Sequence, residues 1–305
     1  MPNVLNYAEN FSPELLQMFI DGSYIAPFIN SNVDWLDAKT FRFTSMQVGG
    51  YKQHNIAGGW NRQFINQEDH PFTVEQDRNV EFFVDKREVD ETNRLASAQN
   101  ISRVFEDTQA IPEKDAYFFS KVASEAEAKG LKTSTALAEY TQTTVVQKTT
   151  EFIGKNRRFR NKGLVVYVRP EIMDSLALST NFTRNIDVTS IVVGGKAIQT
   201  RITSIDGVPI VEVIDVDRFY SAYDFTDGYV PATGAHPINM LAATPLTTKF
   251  VPKISSIYMF APGEHLGGDG WIYQNRAHYD AFVFPNGKNG QVDSIYVDLD
   301  TEEVV

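Results

Sequence analysis

The chain has 305 residues, of which 42% are hydrophobic and 12% aromatic, so it is long enough to bury one large core or two smaller ones. It contains no cysteine, which excludes disulfide bonds, thiolate catalysis and cysteine-ligated zinc. Its formal net charge of −11 disfavours direct binding of nucleic acid, because that affinity comes mainly from Lys and Arg that displace counterions from phosphates. No apolar run approaches the roughly 20 residues of a transmembrane helix, and the first residues, MPNVLNYAEN, lack a secretory signal.

Residues 1–45 do not have the pattern of an independent domain. The stretch from Ser12 to Gly22 predicts a short helix, and an irregular arm follows that includes Trp35, Phe41 and Phe43. An arm this apolar, without clear periodicity, would be unfavourable in water. Two interpretations stay open: the arm wraps its own core, or it lies on a neighbouring subunit.

Residues 46–90 are predicted to form a long two-stranded excursion. The runs Phe41–Val48 and Val80–Val89 are strand-like, and two glycine pairs lie between them. A lone ribbon is only marginally stable in water. We therefore expect it to pack on another surface, such as an adjacent protomer.

Residues 91–158 are predicted to be helical. One segment ends at Phe105, and Pro112 suits the first turn of the next helix, which Gly130 ends. The apolar face of this second helix comprises Phe119, Val122, Ala123 and Ala126. A third helix is predicted from about Ser134 to Ile153.

The pattern changes after the basic stretch 156–162. The run LVVYV predicts a buried strand, and Pro170 predicts the start of a helix. Asp206-Gly207 predicts a two-residue hairpin turn, since both turn positions favour positive φ. Residues 225–250 are rich in Gly and Pro and are predicted to be loops. Strands return in KISSIYMFA and WIYQNRAHYDAFVFP, so the order of elements indicates an α+β fold.

No catalytic or metal site is recognisable in the sequence. The five His residues lie in different segments, and the nearest approach to a metal site, Glu264-His265 with Asp269, matches no ligand template. Gly194-Gly195-Lys196 lacks the other residues of a phosphate-binding loop, and no GxSxG motif occurs. We therefore expect a protein that is not an enzyme, with no catalytic residue, no cofactor and no metal. The basic stretch 156–162 either pairs with acidic groups or touches DNA.

Three stretches of the sequence resemble the Hong Kong 97-type major capsid proteins of tailed phages. EFFVDKREVDETN followed by ISRVFEDTQAIPEKDAYFFSKVA is similar to the second strand of the family's extended loop and its spine helix. SIDGVPIVEV resembles part of the axial domain. GWIYQNRAHYDAFVFPNGKNGQVDSIYV resembles the closing strands of the peripheral domain. The resemblance extends over nearly the whole chain, and the order and spacing of the motifs carry it.

The resemblance implies a Hong Kong 97-like capsid fold with four parts. Residues 1–45 would be the N-arm and residues 46–90 the extended β-hairpin loop. The peripheral domain, with its long spine helix, would comprise residues 91–165 and 251–305, and the axial domain residues 166–250.

The resemblance also implies a structural function in the virion. Such head proteins assemble in the cytoplasm of the bacterial host into hexamers and pentamers, which form an icosahedral shell around the double-stranded DNA genome. A portal protein, a scaffolding protein and DNA bound without sequence specificity would be the partners, and no membrane would be involved.

The expected assembly interface has three parts. Aromatic residues of the arm and ribbon would bury against adjacent subunits, and charged residues of the second strand-like run would set register and specificity. The resemblance adds the 286–290 loop, which would meet its copies at threefold contacts. The expected interface residues are Trp35, Phe41, Phe43, Tyr51, Trp60, Phe64, Glu81, Asp85, Lys86, Arg87, Glu88, Asn286, Lys288 and Asn289.

Two features depart from some members of that family. Some carry a long, cleaved scaffolding segment, whereas Met1 here lies just upstream of the arm, so we expect a separate scaffolding protein. Some cross-link a Lys of the extended loop to an Asn, but residues 58–72 contain no Lys and Lys52 lies nearer the ribbon base. We therefore do not expect covalent cross-links.

Two other functions stay open. An encapsulin-type nanocompartment shell shares the fold but encloses enzymes. A carbohydrate-binding or adhesive β-rich protein could use the many aromatic residues. An adhesin would purify as a small oligomer that binds glycans, whereas a shell protein would form very large particles.

Overall fold

The computed structural model describes residues 23–30, 35–37, 39–54, 60–86, 98–179, 189–193, 196–200, 204–265, 267–286 and 291–302. The helix predicted after Ser12 lies outside these residues, as do Arg87, Glu88, Lys288 and Asn289. No helix in this part of the chain is long and apolar enough to cross a bilayer.

Helices and strands are both abundant, and the fold is α+β. The described α-helices are α1 (Ala98–Phe105), α2 (Ile111–Ala128), α3 (Val145–Lys155) and α4 (Pro170–Leu178). The described strands are β1 (Thr40–Val48), β2 (Ile65–Thr73), β3 (Gln76–Asp85), β4 (Lys132–Ser134), β5 (Val165–Val168), β6 (Thr189–Val193), β7 (Lys196–Thr200), β8 (Ser204–Ile205), β9 (Val208–Glu212), β10 (Tyr223–Asp224), β11 (Val230–Pro231), β12 (Ile238–Ala243), β13 (Thr248–Phe260), β14 (Gly270–Val283) and β15 (Tyr296–Leu299).

A long helical segment crosses the protein from α1 to α2. The sequence predicted a break before Pro112, but a π-helical turn, Glu106–Ala110, joins the two helices without interruption. The Glu106 carboxylate, which is buried, accepts a hydrogen bond of 2.6 Å from the Asn275 side chain. Pro112 follows the π-helical turn, so the change in the hydrogen-bond pattern falls where proline has no N–H to donate. We refer to residues 98–128 as the spine helix.

A three-stranded antiparallel sheet in the order β13–β14–β3 lies along the spine helix. Successive residues of a strand point to opposite faces. On β14, Asn275 and Tyr279 face the helix, and the Tyr279 hydroxyl donates to Glu113 of α2 at 3.1 Å. The residues at even-numbered positions of β14 therefore form the opposite, outer face of this sheet.

The ribbon differs from the prediction in its second strand. β1 pairs with β2 from Thr40↔Thr73 to Val48↔Ile65, whereas the run that was predicted as its partner forms β3 of the long sheet. The sequence of β2, INQEDHPFT, does not alternate, because most of this strand is exposed to solvent. β3 does alternate, because one of its faces packs on the spine helix.

A second, mixed sheet has the strand order β4–β15–β12–β5–β9–β8. Every residue of Val165–Val168 is buried, which confirms the predicted buried strand. Alternate residues of this strand enter two cores: Val165 and Tyr167 join the core of the spine helix, and Val166 and Val168 join the core of α3 and α4. A strand covered on both faces is apolar without alternation.

Two local predictions were wrong. Residues 225–250 are not all loops, because Ile238–Ala243 forms β12, the fully buried neighbour of β5. The sequence did not indicate this strand, because Asn239 interrupts its apolar run and Gly and Pro residues flank it. The helix predicted from Ser134 begins only at Val145, because the preceding threonines bond their own backbone: the Thr144 hydroxyl donates to the Glu139 carbonyl at 2.6 Å.

Two other local predictions were confirmed. Asp206 and Gly207 have φ values of 53° and 71° and join β8 to β9 in a tight antiparallel turn. Pro170 begins α4.

Candidate subunit interface

The β1–β2 ribbon has a base that packs on the body of the protein and a tip that does not. At the base, Phe41 is 1% exposed and contacts Phe282 edge to face, with the ring centroids 5.0 Å apart. Phe72 of β2 completes this cluster with Phe284, at 5.0 Å between the rings. The base therefore holds the ribbon on the outer face of the long sheet.

This packing corrects the expectation for the arm aromatics. Phe41 has no surface left for a neighbour, because its own chain covers it. Phe43 stacks on Phe284 with 4.4 Å between the ring centroids, and Trp35 meets Phe41 edge to face at 5.6 Å. The Lys253 ammonium lies 3.5 Å from the Trp35 ring centroid. Of the two interpretations left open for the arm, self-wrapping holds for Phe41; Trp35 and Phe43 pack on the same cluster but remain partly exposed, so their predicted contact with a neighbour stays a prediction.

The tip of the ribbon, residues 49–64, exposes the other predicted aromatics. Trp60 is 97% exposed, Tyr51 is fully exposed and Phe64 is 64% exposed. The last strand residues before the tip, Val48 and Ile65, are exposed as well. Exposure of so many large apolar side chains is unfavourable in water and is typical of surfaces that take part in contacts between molecules.

Two backbone-directed hydrogen bonds shape the tip. The Asn61 amide donates to the Gln53 carbonyl at 2.9 Å, and the Gln63 amide donates to the Gly50 carbonyl at 2.7 Å. Residues 49–67 carry Lys52, His54 and Arg62 but no carboxylate. The tip is thus a basic, aromatic surface on an acidic protein.

The charged residues of β3 lie at the far end of the long sheet. Glu81 accepts a hydrogen bond of 2.5 Å from the Gln274 side chain across the β3–β14 pair, and this contact fixes it on the outer face. Asp85 ends the strand half-buried, and Lys86 follows it with an exposed side chain. Glu81 and Asp85 lie at alternate positions of β3 and so share its outer face; their predicted role at a subunit interface, with that of Lys86, stays a prediction.

The 286–290 loop is described only at its first residue. The Asn286 amide donates to Asp293 at 2.5 Å, and its oxygen accepts from the Asp293 backbone N–H at 3.1 Å. Asn286 therefore closes the base of the loop on its own chain. Its predicted role at a threefold contact stays a prediction.

The two segments that the sequence singled out for metal or DNA chemistry, Glu264-His265 and the basic stretch 156–162, make contacts within their own chain. His265 uses both ring nitrogens locally, one with the Gly270 carbonyl at 2.8 Å and one with the Gly267 N–H at 3.1 Å. Within the described ranges, no three His, Asp or Glu residues are grouped to hold a metal ion. In the basic stretch, Arg157 and Arg160 pair with Asp206 at 3.3 and 3.6 Å, and Arg158 pairs with Asp293.

A buried carboxylate that the sequence did not reveal anchors the start of the described arm. Asp115 of α2 accepts hydrogen bonds from the Ser23 hydroxyl and from the Tyr24 backbone N–H, the latter at 3.2 Å, and lies 3.3 Å from the Arg218 guanidinium. Burial raises the pKa of Asp115 to about 6, although the three donors favour the charged form.

A second buried carboxylate joins the mixed sheet to the segment before α3. Asp298 accepts hydrogen bonds from the Tyr140 hydroxyl, from the Thr135 hydroxyl at 2.8 Å and from the Asn239 amide at 3.2 Å. Burial raises the pKa of Asp298 to about 6 against the effect of these donors.

Acidification from pH 7.5 to 5.5 is expected to stabilise the unassembled subunit. A carboxyl group with a pKa of about 6 when folded, and near 3.8 when unfolded, holds its proton more tightly in the folded state. Its stabilising contribution is therefore complete below pH 3.8 and is lost as the pH rises through 6. Asp115 and Asp298 should each contribute about 1 kcal/mol over this range. Urea unfolding at several pH values measures the effect.

Asp298→Asn is the matched control for this pH dependence. It removes one titrating group and retains an oxygen for the hydrogen-bond donors. The gain in the free energy of unfolding on acidification should be smaller by about 1 kcal/mol than in the natural protein. Identical pH profiles for the two proteins would contradict the assignment.

Comparisons with known proteins identify the fold. The sequence matches no family model and no curated protein. The structure is similar to the mature capsid of bacteriophage PhiM1, with a TM-score of 0.60, 14% identity, and coverage of 92% of this chain and 87% of that chain. It is similar to the capsid of cyanophage P-SCSP1u, with a TM-score of 0.59, 9% identity, and coverage of 90% and 86%. A structure from Mycobacterium phage Adephagia gives a TM-score of 0.56 and 12% identity, with coverage of 92% and 91%. The expected Hong Kong 97-like capsid fold is therefore confirmed.

Proposed function

We propose that this chain is the major capsid protein of a tailed double-stranded DNA bacteriophage. In this proposal it assembles into the hexamers and pentamers of an icosahedral shell that encloses the genome. The observation that carries the proposal is the likeness to phage capsid structures over about nine-tenths of the chain. At this level of identity the likeness establishes the fold, and the surface of the protein supplies the second argument.

The ribbon supports a shell function because its base and tip behave differently. The base fixes the ribbon on the protein, whereas at the tip Tyr51 and Trp60 are almost wholly exposed and Phe64 is 64% exposed. Burying a few large rings at each contact, at about 25 cal/mol per Å² of apolar area, is a strong driving force when every subunit repeats it. The tip is thus an assembly surface, and adjacent copies of the chain are its partners.

The remaining partners follow from the shell function. A portal protein, a separate scaffolding protein and the packaged DNA would contact the shell in the virion, after assembly in the bacterial cytoplasm. The net charge of −11 suits a wall that does not hold the genome tightly. The role is structural rather than catalytic. The domain limits expected from the resemblance stay part of this proposal, except that β3, which was expected in the extended loop, lies in the long sheet.

An encapsulin-type shell is the second candidate that the fold allows, and the adhesive protein is disfavoured. The structures named above are those of phages, and two of them are capsids by their own descriptions. An adhesin would need its aromatics at a glycan site, whereas the exposed rings here lie at the end of a projecting ribbon.

Expression of the chain together with the head genes that flank its own gene is expected to yield closed shells. Sedimentation would separate these particles from free subunits, and negative-stain microscopy would show their shape. A stable monomer under these conditions would contradict the proposal. Shells that contain an enzyme encoded beside the chain, and no DNA, would favour the encapsulin alternative.

A further inference from the structure

The first described residues of the arm are part of the interior of the protein. Ile25 and Phe28 are fully buried, and the Phe28 ring packs on Phe118 of the spine helix with 4.9 Å between the ring centroids. The Asn30 backbone N–H donates to a carbonyl of β13 at 2.8 Å. The arm is therefore anchored on both the spine helix and the long sheet, and we call residues 23–30 the arm root.

The polar groups of the arm root contact a segment that lies 190 residues away in sequence. The Tyr24 hydroxyl accepts a hydrogen bond of 3.2 Å from the Ile214 backbone N–H. Asp115 of α2, which accepts from the Tyr24 backbone N–H, also lies 3.3 Å from the Arg218 guanidinium. This guanidinium lies over the Tyr24 ring, 5.8 Å from its centroid. We call residues 214–218 the axial segment, which the arm root and the spine helix hold together.

The axial segment joins two fixed points of the interior. Just before it, the Val213 N–H donates to the Val168 carbonyl of β5 at 3.0 Å. Just after it, the buried Phe219 ring meets Phe119 of the spine helix edge to face, with 5.0 Å between the centroids. Between these points the backbone makes a single turn, and Ile214 is 72% exposed. A short exposed segment of this kind opens easily unless side chains from elsewhere hold it, so its order should depend on the arm root.

The axial segment is connected in turn to a hairpin of the expected axial domain. Its Asp217 carbonyl accepts a hydrogen bond of 2.8 Å from the Tyr223 hydroxyl of β10, and β10 pairs with β11. The turn of this hairpin is held separately, because Arg78 of β3 donates to the Phe225 carbonyl. We therefore expect the base of the hairpin, rather than its turn, to depend on the axial segment.

We propose that the arm root is a latch that orders the axial segment. Ser23 and Tyr24 hold the axial segment, and through Tyr223 the base of the β10–β11 hairpin, in the conformation that the axial domain presents to other copies. The inference goes beyond the proposed shell function, since the latch operates within one unassembled subunit. For the shell, it makes docking of the arm a condition for a fully formed axial surface.

Hydrogen exchange of the unassembled subunit, followed by mass spectrometry, tests the latch. Ser23→Ala with Tyr24→Phe removes two hydroxyl groups and leaves the apolar side chains of the arm root in place. The reporters are the Arg218 and Phe219 amides, which donate to carbonyls within the axial segment at 3.2 and 2.9 Å. Their exchange therefore reports opening of the segment and not the loss of a bond to the arm. We expect it to become about tenfold faster.

Tyr140→Phe is the matched control, since the Tyr140 hydroxyl donates to Asp298, the second buried carboxylate. It should leave the exchange of the Arg218 and Phe219 amides unchanged. Tyr24→Phe alone should speed this exchange about threefold, and this variant decides the question if the double variant does not fold. Equal exchange in the Tyr24→Phe variant and the natural subunit would overturn the latch and leave the shell function standing.

Coupling between two sites is reciprocal, which gives an independent measurement. Tyr223→Phe removes the hydroxyl that bonds the Asp217 carbonyl of the axial segment. If the arm root and the axial segment are coupled, exchange of the Phe28 and Asn30 amides should become about threefold faster. An axial segment that opens while the arm root keeps its protection would contradict the latch. Failure of the natural chain to form shells would instead overturn the shell function and leave the exchange results unaffected.

Discussion

Replacing residues 50–63 with Asn-Gly is expected to abolish shell formation while the subunit still folds. The excision removes Tyr51 and Trp60 and leaves both strands of the ribbon intact. It can be closed by two residues because Gly49 and Phe64 already face each other, with 3.1 Å between the Gly49 nitrogen and the Phe64 carbonyl oxygen. Asn-Gly forms the tight turn that such a hairpin requires. We expect the yield of sedimenting shells to fall by about a hundredfold or more, since each lost contact is repeated around the shell.

The control for this excision must show that the fold survives and that the tip is specific. The cooperative unfolding of the unassembled variant should match that of the natural subunit, because residues 50–54 and 60–63, the described part of the excised segment, are exposed. Replacing two exposed leucines elsewhere, Leu178→Ser with Leu246→Ser, removes apolar surface and leaves the ribbon unchanged. Normal shells from the excised chain would refute the assembly role of the tip.

The limits of the excision come from the structure. A wider deletion, of residues 58–72, removes most of β2 together with Phe72. Phe72 lies in the base cluster with Phe41, Phe282 and Phe284. That deletion would damage the fold, so a loss of assembly would say nothing about the tip.

The sequence predicted those elements whose pattern reflects their own surroundings. The Asp206-Gly207 turn could be predicted because the backbone conformation is a property of these two residues. The buried strand at Val165–Val168 could be predicted because it is apolar at every position. The order of motifs, through the resemblance it carries, gave the fold.

The sequence failed where a residue's surroundings are set by distant parts of the chain. Nothing in INQEDHPFT distinguishes a ribbon strand from a loop, since an exposed ribbon has no apolar face to mark it. Asn239 made β12 hard to recognise, because a polar residue interrupts its apolar run. In the structure the Asn239 side-chain amide donates a hydrogen bond of 2.7 Å to the Thr135 carbonyl in the protein interior. Asp115 looks like a surface residue of an amphipathic helix, and only the fold shows that Ser23 and Arg218 meet it.

The same limit applies to the interface. The six aromatics of the arm and ribbon that were predicted for the interface could not be separated by sequence alone, because each is a large apolar side chain in a segment without clear periodicity. The structure divides them by burial: Trp35, Phe41 and Phe43 join the base cluster, and Tyr51, Trp60 and Phe64 remain exposed.

Phe41→Ala and Trp60→Ala are expected to have opposite effects, which tests this division directly. Phe41→Ala removes a buried ring between Phe72 and Phe282 and leaves a cavity, so it should lower the free energy of unfolding by about 3–5 kcal/mol. Trp60→Ala removes an exposed ring and should change that free energy by less than about 0.5 kcal/mol. Urea unfolding of the unassembled subunits measures both.

Shell assembly under conditions where both variants remain folded completes the comparison. Trp60→Ala should assemble poorly despite its normal stability, because the lost ring belongs to the contact between copies. Subunits of Phe41→Ala that are still folded should assemble far better than those of Trp60→Ala, because the base cluster lies within one chain and the tip is unchanged. If Phe41→Ala were stable and defective in assembly, the base cluster would have to form between copies. The arm would then lie on a neighbour, and the division of the ribbon into an internal base and an external tip would be wrong.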